Sequence, residues 1–349
     1  MSRIVHSNCQ VDPLKEVWIG GVYPEHFYEH LGSKAQDLFS RLAEITQQDF
    51  KRLRSTVESF GITVVEPKFD RVDDYIDDQD RLLKPPISPC DLALTLADTL
   101  YVKKEYPSGV QPYQHAIDQY LLNNQQIHTI DRESDDPWAW VEFASVVRMG
   151  RDVYIDHLPH NQQSKQAIYK VADLLKDQYR VHISNTGDHS DGVFCPVKPG
   201  FIVTSHYRKR YMKTFPNWDV FQVVPENIPN GVRGLQTWKK WWLPNVDYGH
   251  FNQLIIDNAE HWLGNPHETV FDVNILVIDE KNIVCGAYNE KAFKHFESIG
   301  ITPHVVEFKS RYFWDAGMHC LTSDIYRTGS LTDFWPDRGN NDIYPITEW

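Results

Sequence analysis

Four short segments of the chain carry the side chains that could do covalent chemistry. Cys320 follows a small loop containing Gly317, and such a loop just before a strand can expose a thiol at the strand's edge. His189 and Asp191 share one side of an extended segment, and the carboxylates Glu142 and Asp91 adjoin apolar β-rich runs, where a charge needs a partner. Taken singly, each feature is explained as well by a buried thiol, a polar turn or a structural ion pair.

The elements that must position these side chains follow a repeated order. Five segments show a helical spacing of apolar residues and then a strand-like run. In order, the predicted helices and strands are Lys34–Phe60 and Ile62–Glu66, Gln114–Leu122 and Ile127–Ile130, Gln162–Lys176 and Arg180–Ser184, Arg208–Thr214 and Val220–Val224, and Asn289–Ser298 and Ile301–Phe308. Gly61 ends the first helix, because glycine readily adopts the left-handed conformation that closes a helix.

Two short β-rich runs joined by a turn precede each of the last four helices. The predicted hairpins are Asp91–Leu96 with Thr99–Lys103, Phe143–Arg148 with Asp152–Asp156, Gly192–Pro196 with Phe201–Thr204, and Val273–Ile278 with Ile283–Gly286. The first unit has only Glu16–Gly20, and the C-terminal run Leu321–Tyr326 could supply its missing strand. Five ββαβ units of about 70 residues indicate an α/β propeller closed into a ring, although a generic α/β sheet would also alternate strands and helices.

A ring of such units would bring the first residues of its β-runs together at the central axis. The carboxylates, the imidazole and the thiol would then converge, and like charges are tolerated so close only when a cation joins them. A guanidinium is planar, permanently charged and rich in donors, so it fits between carboxylates. A thiol and an imidazole beside it point to attack on the guanidinium carbon.

Three stretches carry a resemblance to a known family. Val141–Tyr154 resembles the family run FDAADFIRAGRDIF, Asp188–Ser205 resembles its HxD segment and following hairpin, and Val273–Gly329 resembles its last module and nucleophile loop. The chain thus resembles the amidinotransferase branch of the pentein superfamily, which includes glycine and inosamine-phosphate amidinotransferases. The similarity runs from Val11 nearly to the C-terminus, and it implies five ββαβ modules in a closed pseudo-fivefold ring.

The resemblance implies roles for the residues around a guanidino donor. Cys320 matches the nucleophile and His189 the general acid/base, while Asp91 and Asp191 match the carboxylates that clamp the guanidinium. Glu142 stands where amidinotransferases usually carry Asp, whereas arginine-hydrolysing relatives carry Glu. This departure leaves both transfer and hydrolysis open.

Three further positions match the outer parts of the family site. Arg208 matches an arginine that takes the donor's carboxylate, and Asn274 matches an asparagine of the acceptor region. Asp272 stands where relatives carry Ser or Gly near the acceptor. A carboxylate there favours an acceptor larger than glycine with a second cationic group, and an ion pair with a neighbouring Lys or Arg is the simpler explanation.

The implied reaction moves the amidino group of L-arginine through a covalent intermediate on Cys320. The thiolate attacks the guanidinium carbon, His189 protonates the leaving amine, ornithine departs, and a small acceptor amine then takes the amidino group. Neither a metal nor an organic cofactor is needed, and the product would be a guanidino metabolite or natural product. Hydrolysis to citrulline-type products by the same site is the first alternative, and a non-catalytic binding protein on the same fold is the second.

Composition excludes several other classes of function. The 349 residues carry 35 basic and 48 acidic side chains, a net charge of −13, which disfavours binding to nucleic acid. No apolar run reaches the roughly 18 residues of a membrane span, and the first residues lack the pattern of a secretory signal. Five widely spaced cysteines show no disulfide framework or CxxC metal pair, so we expect a cytoplasmic protein with free thiols.

One stretch lies outside the repeat. Pro225–His267 is rich in tryptophan and histidine, and residues of this kind typically fill a core or an oligomer interface; a lid over a pocket is the alternative. Since no linker or low-complexity stretch divides the chain, we expect one domain over residues 1–349 with this insertion at about 225–267. The resemblance also implies a homodimer.

Overall fold

A computed structural model describes residues 3–31, 33–104, 109–157, 162–184, 186, 189–205, 211–223, 248–262 and 273–345. Within these ranges the chain is mixed α/β. The strands are β1 Leu14–Ile19, β2 Thr63–Val65, β3 Ala93–Leu96, β4 Thr99–Lys103, β5 Gln126–Ile130, β6 Val146–Met149, β7 Asp152–Asp156, β8 Arg180–Ser184, β9 Phe194–Lys198, β10 Phe201–Thr204, β11 Asp219–Gln222, β12 Leu276–Asp279, β13 Asn282–Cys285, β14 Thr302–Val305, β15 Thr322–Arg327 and β16 Ile343–Pro345.

In the described residues, helices fall at the five places where apolar spacing predicts them. Three further one-turn helices and the 12-residue helix of the aromatic insertion were not predicted. The helices are α1 Ser33–Glu58, α2 Pro89–Leu92, α3 Gln114–Leu122, α4 Gln162–Leu175, α5 Ser190–Val193, α6 Tyr211–Thr214, α7 Tyr248–Ala259, α8 Glu290–Ser298 and α9 Arg311–Trp314. After α1, Gly61 has a φ of +74°, which ends the helix as predicted. None of the helices that the structure describes combines the length and the apolar character that a membrane crossing requires.

Small sheets repeat one pattern along the described part of the chain. A hairpin of two antiparallel strands is followed by a helix and then by a third strand parallel to the second. This pattern holds for β3–β4–β5, β6–β7–β8, β9–β10–β11 and β12–β13–β14. The predicted repeat of hairpin, helix and strand is therefore present in each of these units.

The first unit obtains its missing strand from the other end of the chain. β15 pairs antiparallel with β1, with Ile19 opposite Thr322, and β2 pairs parallel with β1 on the other side. The predicted pairing of the C-terminal run with Glu16–Gly20 is confirmed. Because Cys320 lies two residues before β15, this pairing also fixes where the cysteine enters the fold.

Three local expectations were wrong. Gly192, expected to begin a strand, lies in the one-turn helix α5. Asp91 lies in the one-turn helix α2 rather than at the start of a strand, and Glu142 immediately precedes a short 3₁₀ turn at Phe143–Ser145 rather than lying within a strand. In each place a turn comes before the strand, because the chain must change direction before it enters the hairpin. The strand β16, which extends the third sheet beside β8, was not predicted.

The described part of the aromatic insertion includes α7 and the turn Glu260–Trp262. Trp262 is buried, its indole N–H donates to the carbonyl of Leu82 over 2.8 Å, and its ring centroid lies 5.0 Å from that of Phe39 on α1. This tryptophan therefore fills core, as expected for the insertion. Residues 224–247 and 263–272, which hold the other three tryptophans of the insertion, lie outside the described residues.

A buried ion network joins the C-terminal strand to the third unit. Both carboxylate oxygens of Asp324 on β15 accept from Nη2 of Arg148 at 2.6 and 2.7 Å, and Oδ2 also accepts from Arg327. Burial alone would raise the pKa of Asp324, but the charges of Arg148 and Arg327 hold it well below its ordinary range. The carboxylate is therefore ionised at neutral pH and pairs two buried guanidinium groups.

Replacing Asp324 with Asn is expected to lower the free energy of unfolding by about 3 kcal/mol at pH 7, because two buried arginines lose their counter-charge. The difference in free energy of unfolding between wild type and variant should be full above about pH 4. It should shrink as the pH falls below that, because only the ionised carboxylate pairs with the arginines and protonation removes this stabilisation. Urea unfolding of wild type and variant at pH 7 and pH 3.5 measures this difference. Asp98→Asn, at an exposed pair with His6, is the control and should cost at most about 1 kcal/mol. Equal losses in the two variants would contradict the prediction.

Candidate active site

The nucleophile candidate lies in a tight loop between α9 and β15. The backbone N–H of Leu321 donates to the carbonyl of Gly317 over 3.0 Å, and the hydroxyl of Thr322 donates to the carbonyl of Met318 over 3.0 Å. Asp315 adopts a left-handed conformation, with φ of 51°, where the helix ends and the loop begins. These contacts fold the loop on itself and leave the Cys320 thiol buried but next to other polar groups.

Both polar atoms of the Asn274 side-chain amide contact Cys320. Its Oδ1 accepts from the backbone N–H of Cys320 over 2.9 Å, and its Nδ2 donates to the Cys320 Sγ over 2.9 Å. The carbonyl of Asn274 also accepts from the N–H of Met318 over 3.0 Å. A buried amide N–H directed at sulfur stabilises a thiolate, so this contact suits a sulfur that acts as a nucleophile.

Gly317 makes that close approach feasible. A Cβ at this position would lie 2.4 Å from the Cβ of Asn274 and 2.6 Å from its Oδ1, distances that real Cβ atoms do not show. The loop and Asn274 can meet only when residue 317 has no side chain.

Gly317→Ala is therefore expected to displace Asn274 from Cys320 and to lower kcat/KM by about 10²-fold, as misplacement of a reacting group by an ångström can do. Steady-state kinetics measure the loss. Gly286→Ala is the matched control, because a Cβ there would meet only the flexible Met318 side chain, at 3.5 Å. A Gly317 variant as active as the Gly286 variant would contradict the role of this contact.

Asp191 links the thiol to a second histidine. Its Oδ2 accepts from Cys320 Sγ over 3.2 Å and contacts Nδ1 of His319 at 2.9 Å. Its Oδ1 is buried and has no hydrogen-bond partner among the described residues. Burial favours a higher pKa for Asp191, but the hydrogen bond and charge of His319 and the charge of His189 bring the pKa below its ordinary value. The carboxylate is thus ionised, with one oxygen available to a ligand.

The remaining predicted residues surround Asp91. Burial raises the pKa of Asp91, the charges of Glu142 and Asp191 raise it further, and His189 and Lys103 oppose the shift. These couplings place three carboxylates and two basic groups within electrostatic reach of one another. Such a concentration of like charge is typical of a site that receives a cation.

Lys103 partly neutralises this group. It is 7% exposed, and its Nζ lies 3.5 Å from Oε2 of Glu142 and 4.8 Å from the centre of the Phe143 ring. Glu142 therefore has Lys103 as a counter-charge, whereas Oδ1 of Asp191 has no hydrogen-bond partner in the described part of the chain.

The structure brings six of the eight predicted site residues together. Cys320, Asn274 and Asp191 are in direct contact, and Asp91, Glu142 and His189 are coupled to them through charge. Arg208 and Asp272 lie outside the described residues.

Sequence reasoning missed three neighbours of the site, His319, Lys103 and Cys90. His319 and Cys90 are each adjacent in sequence to a predicted residue, which was an available signal. Lys103 ends the strand β4, and nothing in its local sequence distinguishes it from an ordinary surface lysine.

One donor set in the described residues could hold a metal ion. The sulfurs of Cys90 and Cys320 and a carboxylate oxygen of Asp191 all lie within 4.8 Å of one another. Thiolates and carboxylates are ligands of Zn²⁺. A metal ion here would occupy the sulfur of Cys320 and so compete with its use as a nucleophile.

The curated proteins reported below, to which this chain is similar, are amidinotransferases. No family model matches the chain. The L-arginine:L-lysine amidinotransferase of Pseudomonas savastanoi pv. phaseolicola is 23% identical over 196 residues, which are 55% of this chain and 45% of that protein. The mitochondrial glycine amidinotransferase of Xenopus tropicalis is 24% identical over 200 residues, 55% of this chain and 40% of that protein. The matched regions thus span less than half the length of these curated relatives.

Two solved structures share the fold over nearly the whole chain. The inosamine-phosphate amidinotransferase of Streptomyces griseus superposes with a TM-score of 0.68 at 17% identity, covering 95% of this chain and 99% of that one. The amidinotransferase of the saxitoxin biosynthetic pathway from Microseira wollei superposes with a TM-score of 0.66 at 17% identity, with the same coverage.

Proposed function

We propose that this chain, which resembles amidinotransferases in sequence and in fold, is an enzyme that moves the amidino group of L-arginine to an acceptor amine. The observation that carries the proposal is the contact of the Cys320 sulfur with both Asn274 and the ionised Asp191, at 2.9 and 3.2 Å. A buried thiol between an N–H donor and a carboxylate is arranged to become a nucleophile beside a cation. The amidinotransferase names of the relatives support the same reaction class.

In this proposal the donor guanidinium binds between Asp91 and Asp191. The unpartnered Oδ1 of Asp191 accepts one guanidinium N–H, and Asp91 takes another. Binding replaces repulsion between these carboxylates with attraction to a cation, which offsets the cost of burying them. Glu142, already paired with Lys103, borders the same group and completes the clamp. Arg208 is proposed to hold the donor's carboxylate.

The chemistry then proceeds in two half-reactions. The Cys320 sulfur, held by Asn274, attacks the guanidinium carbon, and its proton leaves through Asp191 or His189. His189 protonates the departing amine, ornithine leaves, and an amidino group stays on sulfur. The acceptor amine then attacks the same carbon and loses a proton to His189, the C–S bond breaks, and the Cys320 thiolate leaves as the guanidino product forms. The order predicts ping-pong kinetics.

The proposal includes the finer architecture of the fold. We place the five sheets around a closed pseudo-fivefold ring, the pentein arrangement, as one domain over residues 1–349. The pairing of β15 with β1, which joins the two ends of the chain, supports closure. We also propose a cytoplasmic location and a homodimer, on the basis of composition and the resemblance.

Hydrolysis of arginine by the same Cys and His is the second candidate function. Glu142, in place of the usual Asp, favours it, because arginine-hydrolysing relatives carry Glu at this position. A non-catalytic binding protein would have no use for a thiol held between Asn274 and Asp191.

The acceptor is proposed to carry a second cationic group. Asp272, at the acceptor side of the family site, adds a negative charge that would bind a distant ammonium of a diamine or basic amino acid. The relative named for lysine as well as arginine makes L-lysine the first acceptor to test.

Asp272→Ser is expected to shift preference from lysine toward glycine by about tenfold in relative kcat/KM, because the variant loses one charge pair with the substrate. Competition between the two acceptors for the same donor measures the ratio. If glycine is already the best acceptor for the wild type, or if the ratio does not change, this assignment is wrong.

The test of the proposed function is incubation with L-arginine, with and without a panel of amines, followed by mass spectrometry. Ornithine with a guanidinylated amine supports transfer, whereas citrulline supports hydrolysis. Arginine alone should leave an amidino adduct on the peptide that contains Cys320. Absence of the guanidinylated amine, of citrulline and of the adduct would contradict both amidino transfer and hydrolysis.

A further inference from the structure

A second thiol that the proposed reaction does not use lies beside Cys320. Cys90 is in α2, one residue before Asp91, and both Cys90 and Cys320 are at most 5% exposed. They belong to the same cluster of buried residues, and α2 packs against β15. Residues 230 positions apart in the chain thus place two thiols in one site.

The two sulfurs are close enough to react. Both lie within 4.8 Å of one another and of a carboxylate oxygen of Asp191. A disulfide has an S–S distance of about 2.05 Å, so the two sulfurs must move closer together to bond. The structure holds two free thiols side by side in one buried site.

We propose that Cys90 and Cys320 are a modification site, in which a hydroperoxide converts the two thiols to a reversible disulfide. The linkage would occupy the sulfur of Cys320 and stop turnover until a thiol reductant restores it. Its effect on turnover rests on the proposed function, whereas formation of the linkage does not.

The steps balance with hydrogen peroxide as the oxidant. The thiolate of Cys320 attacks one peroxide oxygen, the O–O bond breaks, and hydroxide leaves and is protonated to water, giving a sulfenic acid on Cys320. The sulfur of Cys90 then attacks the sulfenyl sulfur, the S–O bond breaks, and the hydroxyl leaves as a second water. Two thiols lose two electrons in total, and the peroxide gains them.

The neighbouring groups of the two thiols indicate different roles for them in the oxidation. Nδ2 of Asn274 donates to the sulfur of Cys320 over 2.9 Å and stabilises negative charge on it, so Cys320 reacts first. Sγ of Cys90 donates to Oδ1 of Asp91 at 3.7 Å, which gives its proton an acceptor when it attacks. Cys90 is thus the resolving thiol, and it protects Cys320 from further oxidation.

Peptide mapping of the full-length protein tests the linkage without any activity measurement. The reduced protein is treated with hydrogen peroxide in the presence of a chelator, free thiols are alkylated, and the digest is analysed without reduction. We expect one linked pair of peptides, containing Cys90 and Cys320, and a fall from five free thiols to three. A linked pair that is absent at every peroxide concentration overturns the proposal.

Recovery of activity after dithiothreitol treatment tests whether the disulfide blocks turnover reversibly. The activity of each protein is compared with that of its own untreated sample. Wild type should recover most of its activity, whereas Cys90→Ser should not, because its Cys320 proceeds to sulfinic acid. Cys195→Ser is the matched control and should behave as wild type, since its sulfur contacts Gln10 and backbone carbonyls instead. Equal recovery in wild type and Cys90→Ser overturns the proposal. A protein inactive on arginine but forming the linked pair overturns the proposed function alone.

Discussion

Cys320→Ser is expected to reduce turnover of arginine by at least about 10⁴-fold, the scale on which loss of a covalent nucleophile acts. A serine hydroxyl in the same place keeps the hydrogen bonds to Asn274 and Asp191, but it is far less ionised and less nucleophilic than a thiol. The amidino adduct should disappear with the activity. Binding of arginine should persist, because the carboxylates that hold the guanidinium remain.

Two measurements check this prediction. Product formation from arginine gives the rate, and isothermal titration with arginine gives the affinity of the inactive variant, which should stay within about threefold of wild type, below 1 kcal/mol. Cys195→Ser is the control, because the polar groups around its sulfur can satisfy a hydroxyl. Normal turnover in Cys320→Ser, or an equal loss in Cys195→Ser, would show that the proposed covalent step is wrong.

His189→Asn should slow the reaction by about 10²–10⁴-fold, the range for removal of a general acid/base. His189 precedes α5 and is coupled to three carboxylates, Asp91, Asp156 and Asp191. Negative charges around an imidazole suit a group that delivers a proton to a leaving amine. Since the same group serves both half-reactions, ornithine release and acceptor consumption should fall together.

The decisive comparison is with the second histidine of the site. His319 contacts Asp191 at 2.9 Å and is proposed to position that carboxylate, so His319→Asn should cost about tenfold and keep the shape of the pH profile. His189→Asn should instead remove one limb of the profile of kcat/KM against pH. If His319→Asn causes the larger loss, or His189→Asn keeps the full profile, the acid/base role belongs elsewhere.

The sequence was sufficient for features that depend on neighbours along the chain. Apolar spacing predicted α1, α3, α4 and α8, the turns predicted the hairpins, and Gly61 predicted the end of α1. The pattern of a first unit with one strand too few also predicted the pairing of β1 with β15. Periodicity over many residues carries these signals, and they survive because the local preference and the fold agree.

The one-turn helices α2 and α5 show where local reasoning ends. Four residues are too few to display a helical period, so the sequence predicted that Asp91 and Gly192 begin strands. Helices this short are not stable alone and depend on tertiary contacts. The position of Asp91 therefore followed from the packing of α2 against β15, which no local pattern records.

The chemistry of the candidate site was decided by the tertiary structure. The amide of Asn274 reaches Cys320 across 46 residues, Lys103 reaches Glu142 across 39, and Asp191 reaches Cys320 across 129. From the sequence, the types of Cys320, His189 and Asp191 indicated which reaction to consider. Only the folded chain shows that Asn274 contacts the Cys320 sulfur and that Cys90 lies beside it, because these contacts depend on distances of a few ångströms that sequence separation does not determine.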